Sequence, residues 1–194
     1  MHIKIPNFLS TEECKVIEKI LLDKEKEILS LPANTNYYTG TTARYEHYNF
    51  LKYIPEVNII EKLFALPIMQ DEDECWIQCW GNVLNKGEEI PMHNHGSPED
   101  IFYACNIFIS GADDCYTFYD DVGYVRNNIG ELHLIDSHLT HGVKENTSNM
   151  PRLSIACDIH FKNPKHFNNY DKRIIHAIPS YFCLLYTSPS PRDT

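Results

Sequence analysis

Five of the ten histidines fall between positions 93 and 141, and two of them form His93-Asn94-His95 directly after the run EEIPM. In an extended strand residues i and i+2 point to one side. Both imidazoles can therefore share one ion, and neutral imidazole suits Fe, Zn, Cu or Ni. A third donor is available some 45 residues further on, from His138 or His141 in DSHLTHGV. A lone His-x-His pair is also a common surface feature, and Gly96 and Pro98 beside it can simply mark a turn.

The second chemical feature is Arg152-Leu153-Ser154 in PRLSIACDIHF, which opens an alternating strand. Leu153, Ile155, Cys157, Ile159 and Phe161 make one face, and Arg152, Ser154, Ala156 and Asp158 make the other. If the second face lines a cavity, a guanidinium and a hydroxyl project towards the ion. A buried guanidinium needs an anion, and its planar fork matches a carboxylate in bidentate fashion. A small dicarboxylate with one end on the metal and the other on Arg152 satisfies both groups. The bland alternative is an arginine at a strand edge paired with a neighbouring acid.

These residues have to be held by strands. From residue 74 onward, short runs rich in Ile, Val, Tyr, Phe and Trp alternate with Gly, Asn, Asp and Pro. The pattern predicts strands near 74–84, 90–95, 101–109, 115–119, 131–135, 139–143 and 152–161. Short strands at this spacing, with no helices between them, point to an antiparallel sandwich or barrel. Gln78, Trp80 and Asn82 share one face of the first of these strands, facing either the cavity or solvent, and Asn106 is a further candidate liner.

Before the strands, Ser10 and Glu13 form a capping box, with Leu9 and Cys14 as a hydrophobic staple. Cys14, Ile17, Ile20, Leu21 and Ile28 then mark one face of a helix over about 11–30. A second helix is predicted to start at Pro55, with Val57, Ile60, Leu63 and Phe64 facing the core. The expected architecture is mostly β: a double-stranded β-helix, or jelly roll, with two N-terminal helices packed on one sheet. The tyrosine-rich stretch 34–53 is either a substrate lip or aromatic packing on the barrel.

The 194 residues suffice for one domain, expected over 1–182. A net charge of −10 without a basic stripe argues against nucleic acid and anionic membrane surfaces as partners. The letters HNH at 93–95 are accordingly not those of a nuclease, whose catalytic residues are dispersed over a ββα-metal motif. No apolar run approaches the ~20 residues of a membrane helix, and the first residues lack the regions of a signal peptide. A cytoplasmic protein is expected. The seven cysteines contain no CxxC pair and sit in apolar segments, as reduced, buried thiols do.

The runs WGNVLNKGEEIPMHNHG (80–96), GELHLIDSHLTHGV (130–143) and RLSIACDIHF (152–161) together resemble the iron(II)- and 2-oxoglutarate-dependent oxygenases. The similarity is greatest to the prolyl-hydroxylase-like branch found in phages and environmental bacteria, and IPNFLSTEEC resembles the start of prolyl-4-hydroxylase catalytic domains. The resemblance covers about residues 3–161. It implies His93 as the first iron ligand and His141, which precedes Gly142-Val143, as the distal one in preference to His138. It implies Arg152 as the grip on the distal carboxylate of 2-oxoglutarate, with Ser154 adding a hydroxyl, and Asn82, from the face it shares with Gln78 and Trp80, is taken as a further cosubstrate-binding residue. The usual triad has a carboxylate two residues after the first histidine. Here that residue is His95, taken as the third ligand, with Glu99 or Asp100 in the following loop as the alternative carboxylate. The activity implied is hydroxylation of a substrate C–H with O2, Fe(II) and 2-oxoglutarate, releasing succinate and CO2.

Two other readings share the same residues. Cupin-like metal enzymes also use His-x-His plus a distal His, without 2-oxoglutarate. A non-catalytic jelly-roll binding module would need neither metal nor cosubstrate. The final stretch CLLYTSPSPRD (183–193) resembles the translation of a transposon-end sequencing adapter, so residues 183–194 are expected to be a non-native tail.

Overall fold

A computed structural model describes residues 1–33, 41, 42, 44, 47–70, 72–96, 103–161 and 175–178. Strand β1 (His2–Ile5) leads into helix α1 (Thr11–Leu29). The helix starts where the capping box requires: Ser10 Oγ accepts from the Glu13 amide at 3.1 Å, and the Glu13 carboxylate accepts from the Ser10 amide at 2.8 Å. Its buried stripe is Cys14, Ile17, Leu21 and Ile28.

The second helix differs from expectation. Pro55–Val57 is only a 3-10 turn, and Asn58 follows in the left-handed region (φ 52°). An α ladder cannot run through that conformation, which Asn adopts at low cost. Helix α2 (Ile59–Phe64) therefore begins four residues later than Pro55 suggests, and it buries Ile59, Leu63 and Phe64, with Ile60 partly buried against the same core.

The strands that follow are β2 (Cys75–Leu84), β3 (Ile90–His93), β4 (Tyr103–Ser110), β5 (Tyr116–Tyr119), β6 (Gly123–Arg126), β7 (Leu132–Asp136), β8 (His141–Val143), β9 (Arg152–His160) and β10 (Ile175–Ala177). They form a six-stranded sheet, β1-β7-β4-β9-β2-β10, and a four-stranded sheet, β3-β8-β5-β6. Every strand pairing is antiparallel. Strand β6 was not expected: GYVR is short, and its hairpin depends on Gly123 at φ 82°.

Strand β9 organises the protein. It lies between β4 and β2 and is buried along its whole length. Leu153, Ile155, Cys157 and Ile159 join α1, α2 and the turns between them in one large apolar core. The opposite face, Arg152, Ser154, Ala156 and Asp158, looks away from the helices, as the alternation requires. The larger sheet thus has a helix-covered apolar face and a polar face that meets the four-stranded sheet. All described cysteines are free; five are buried and Cys115 is partly so. No helix among the described residues is long and apolar enough to cross a membrane.

Candidate metal centre

A small cavity lies between the sheets. The smaller sheet lends it Ile90, His93, Thr117, Tyr119 and His141; the larger lends Trp80, Asn82, Asn106, His133 and Ala156. At one end His93, His95 and His141 offer ring nitrogens that all lie within 4.8 Å of one another. His93 and His141 are direct partners across β3 and β8. No Cβ fits at Gly142: one would meet the Ile90 carbonyl oxygen at 2.8 Å and the Met92 amide nitrogen at 3.1 Å. The glycine after His141 thus lets the two strands approach closely.

The strand expected over 90–95 ends at His93. His95 reaches the centre from the segment beyond it, held by its amide on the Ser137 carbonyl at 2.8 Å. The alternate donors fare differently. His138 is exposed and outside the cluster. Glu99 and Asp100 lie outside the described residues, as do residues 183–194.

Each ring is oriented by its Nδ1. In His93 it sits 2.8 Å from the Pro91 carbonyl, and in His141 it sits 2.9 Å from the Leu139 carbonyl. Carbonyls only accept, so both Nδ1 atoms carry the proton and both Nε2 lone pairs are free. His95 Nδ1 lies 2.7 Å from Asp158 Oδ1, an ion-pair contact of two side chains that are each 9% exposed. The Nε2 atoms of His95 and His141 are 3.4 Å apart. Nitrogens each about 2.1 Å from one ion stand roughly 3.0–3.4 Å apart, so this pair already has the spacing of two ligands. Burial drives His141 down to about 3, aided by the neighbouring His95 and His93, and it keeps the ring neutral as a metal donor must be. Burial pulls His95 down as well, but the Asp158 charge outweighs it and leaves that ring above its usual range.

The far end of the cavity is polar. Arg152 is 2% exposed, and no described Asp or Glu forms an ion pair with it. Its fork donates to Ser154 Oγ at 3.2 Å and Thr117 Oγ1 at 3.3 Å, and its Nε has no hydrogen-bond partner among the described residues. Ser154 Oγ also accepts from Asn82 Nδ2 at 3.4 Å, so its own proton remains available. The Asn82 side-chain oxygen is buried without a partner among the described residues. Arg152 stands behind the hydroxyls of this floor and also borders a wider surface groove with Cys115, Tyr116 and Tyr124. Burial lowers its pKa to about 10, which still leaves it charged at neutral pH. Among the described residues this buried cation meets two hydroxyls and the Phe108 ring, 5.6 Å from its centroid, and an anion would compensate its charge.

The cavity side of Gln78, Trp80 and Asn82 is the buried one, so the solvent-facing alternative falls. Trp80 stacks on Tyr48 at 4.9 Å and on His95 at 6.0 Å between ring centres. Of the tyrosine-rich stretch, residues 34–40, 43, 45 and 46 lie outside the described residues. One group escaped sequence reasoning altogether. Glu131 Oε1 accepts from His133 Nε2 at 2.7 Å, which leaves His133 Nδ1 to accept the Tyr119 hydroxyl at 2.8 Å. Burial raises the Glu131 carboxyl, but hydrogen bonds from His133 and Asn128 more than offset that and hold it below its usual range. The alternation of Leu132-His133-Leu134 was the signal that His133 faces inward.

Several solved structures share this architecture. A 2OG-Fe(II) oxygenase-family oxidoreductase from Burkholderia pseudomallei superposes with a TM-score of 0.57 at 13% identity, over 84% of this chain and 85% of that one. A Pseudomonas putida prolyl-4-hydroxylase gives 0.55 at 12%, over 84% and 93%. HygX from Streptomyces hygroscopicus, solved with nickel and 2-oxoglutarate bound, gives 0.57 at 12%, over 87% and 84%. The chain has the 2OG-Fe(II) oxygenase fold. No family model and no curated protein matches the sequence. Within that fold, the site of this chain is three imidazoles with a carboxylate behind one of them.

Proposed function

We propose that this chain is an Fe(II)- and 2-oxoglutarate-dependent oxygenase that hydroxylates a substrate C–H bond and forms succinate and CO2. In this reading residues 1–182 are one cytoplasmic domain, and the two sheets are the halves of a double-stranded β-helix. The observation that carries the proposal is a cavity lined by three convergent imidazoles and by Asn82 and Thr117, with the buried Arg152 guanidinium behind Thr117 and no described Asp or Glu paired to it.

His93, His95 and His141 would hold the iron through Nε2, each ring oriented from behind. Bound iron supplies open coordination positions for the keto acid and O2 and the oxidising chemistry that follows. Arg152 holds the distal carboxylate of 2-oxoglutarate, Ser154 donates its free hydroxyl proton to it, and the Asn82 amide completes the floor. Trp80, Tyr48 and Ala156, clustered beside the histidines, exclude water from the reacting centre. The substrate would approach over Trp80 and Thr42, at the described edge of the tyrosine-rich stretch.

Incubation with Fe(II), 2-oxoglutarate and O2, with succinate measured, tests this. Iron-dependent succinate formation that disappears in His141→Ala is expected. Neither turnover nor affinity for 2-oxoglutarate in the iron-loaded protein would overturn it. The all-imidazole donor set favours one second reading, a cupin-like metal enzyme that does not use 2-oxoglutarate. In that case Arg152→Met leaves the chemistry intact.

A further inference from the structure

The usual facial triad brings one negative charge into contact with the metal through its carboxylate. Three neutral imidazoles bring none. That charge lies one residue further out in this protein. Asp158 projects from the centre of β9, between β2 and β4, where its register partners are Gln78 and Ala104. It is 6% exposed, and its ion-pair partner among the described residues is His95, 2.7 Å away at Nδ1. A buried carboxylate is costly unless it is paired, and this one is paired through a ring that points at the metal site.

We propose that Asp158 is the charge-compensating positioning residue of the centre. It supplies through His95 the negative charge that a carboxylate ligand would supply directly. It also holds His95 by the ion-pair contact at Nδ1, which leaves Nε2 for the ion. The proposal rests on the metal-centre reading above. Groups behind metal-ligating histidines typically alter affinity 10–100-fold. Here the effect should lie at the upper end, because the residue provides charge as well as orientation.

The test uses cobalt(II) alone, titrated anaerobically into the metal-free full-length chain in competition with a chromophoric chelator. Asp158→Asn keeps the shape, removes the charge, and should weaken cobalt roughly 10–100-fold. Asp158→Ser, smaller and equally uncharged, should weaken it to a similar degree. The double variant His95→Asp/Asp158→Asn has the wild-type total charge, moved one position inward. It should recover to within about five-fold of wild type, a rescue that a merely structural role for Asp158 would not produce. Binding by Asp158→Asn or Asp158→Ser within two-fold of wild type overturns the proposal, as does a double variant no tighter than Asp158→Asn. If His141→Ala still abolishes binding in that case, the metal centre stands and only the role of Asp158 falls. If the wild type binds no cobalt, both fall.

Discussion

Replacing Arg152 by methionine separates a ligand-binding arginine from a structural one. Methionine keeps the linear stem and most of the volume but removes the charge. Among the described residues the guanidinium donates to the Ser154 and Thr117 hydroxyls, and each has another partner, Asn82 and Asn127 respectively. Little is lost there, while an uncompensated buried cation is removed. Replacement of buried ionic groups by apolar ones of similar volume is often neutral or stabilising by about 1–4 kcal/mol. The ligand-free melting temperature should therefore hold or rise by several degrees, at roughly 2–4 °C per kcal/mol for a domain of this size. Affinity for 2-oxoglutarate should move the other way. Two charge-assisted hydrogen bonds at about 1.5–3 kcal/mol each amount to roughly 3–6 kcal/mol, or about 10^2- to 10^4-fold in Kd. Anaerobic calorimetry on manganese-loaded protein reads the affinity, and scanning calorimetry reads the melt. A Kd within three-fold of wild type would refute the reasoning. So would a ligand-free melt lowered by more than about 5 °C, which would make Arg152 part of the scaffold.

Gly142→Ala should push β3 from β8 by a few tenths of an ångström, because the new Cβ meets backbone atoms of Ile90 and Met92. Metal affinity should fall about ten-fold, within the range of other orienting changes, while the circular-dichroism spectrum stays that of the wild type. Unchanged affinity would show that this strand contact does not set the ligand spacing. Glu13→Gln keeps the capping hydrogen bond but removes the charge at the start of α1. Burial raises the Glu13 carboxyl, yet the Ser10 amide and Lys62 outweigh it and leave its pKa below 4.5. Its charge therefore stabilises the fold above the unfolded value, and that contribution disappears as pH falls through the lowered one. Denaturant titration should show a deficit of about 0.3–1 kcal/mol at pH 7 that shrinks below pH 4.5. A deficit independent of pH would contradict the charge argument.

The parts of the site that were legible in the sequence are those set by local periodicity. The alternation of β9 fixed which side Arg152, Ser154 and Asp158 occupy, and the capping box fixed where α1 starts. The Pro55 helix start was misread because a proline at a first turn is compatible with a 3-10 turn, and only the left-handed Asn58 decides between them. His95 was expected to point with His93 because both seemed to lie in one strand. It does converge, but through contacts with Ser137 and Asp158 that are remote in sequence. Pairings of that kind, like Glu131-His133-Tyr119, depend on which strands become neighbours. A two-residue period carries no information about that. The same limit applies to Arg152: its inward direction was readable, but that no described Asp or Glu pairs with it was not.

The central claim is that one metal and one keto dicarboxylate occupy the two ends of a single cavity. Anaerobic equilibrium dialysis of 2-oxoglutarate, against the metal-free protein and against protein carrying one equivalent of Fe(II), tests it most directly. The account predicts one equivalent bound in the presence of iron, and at least ten-fold weaker binding both without iron and in His141→Ala. Binding of equal strength with and without iron, or none in either case, would contradict it.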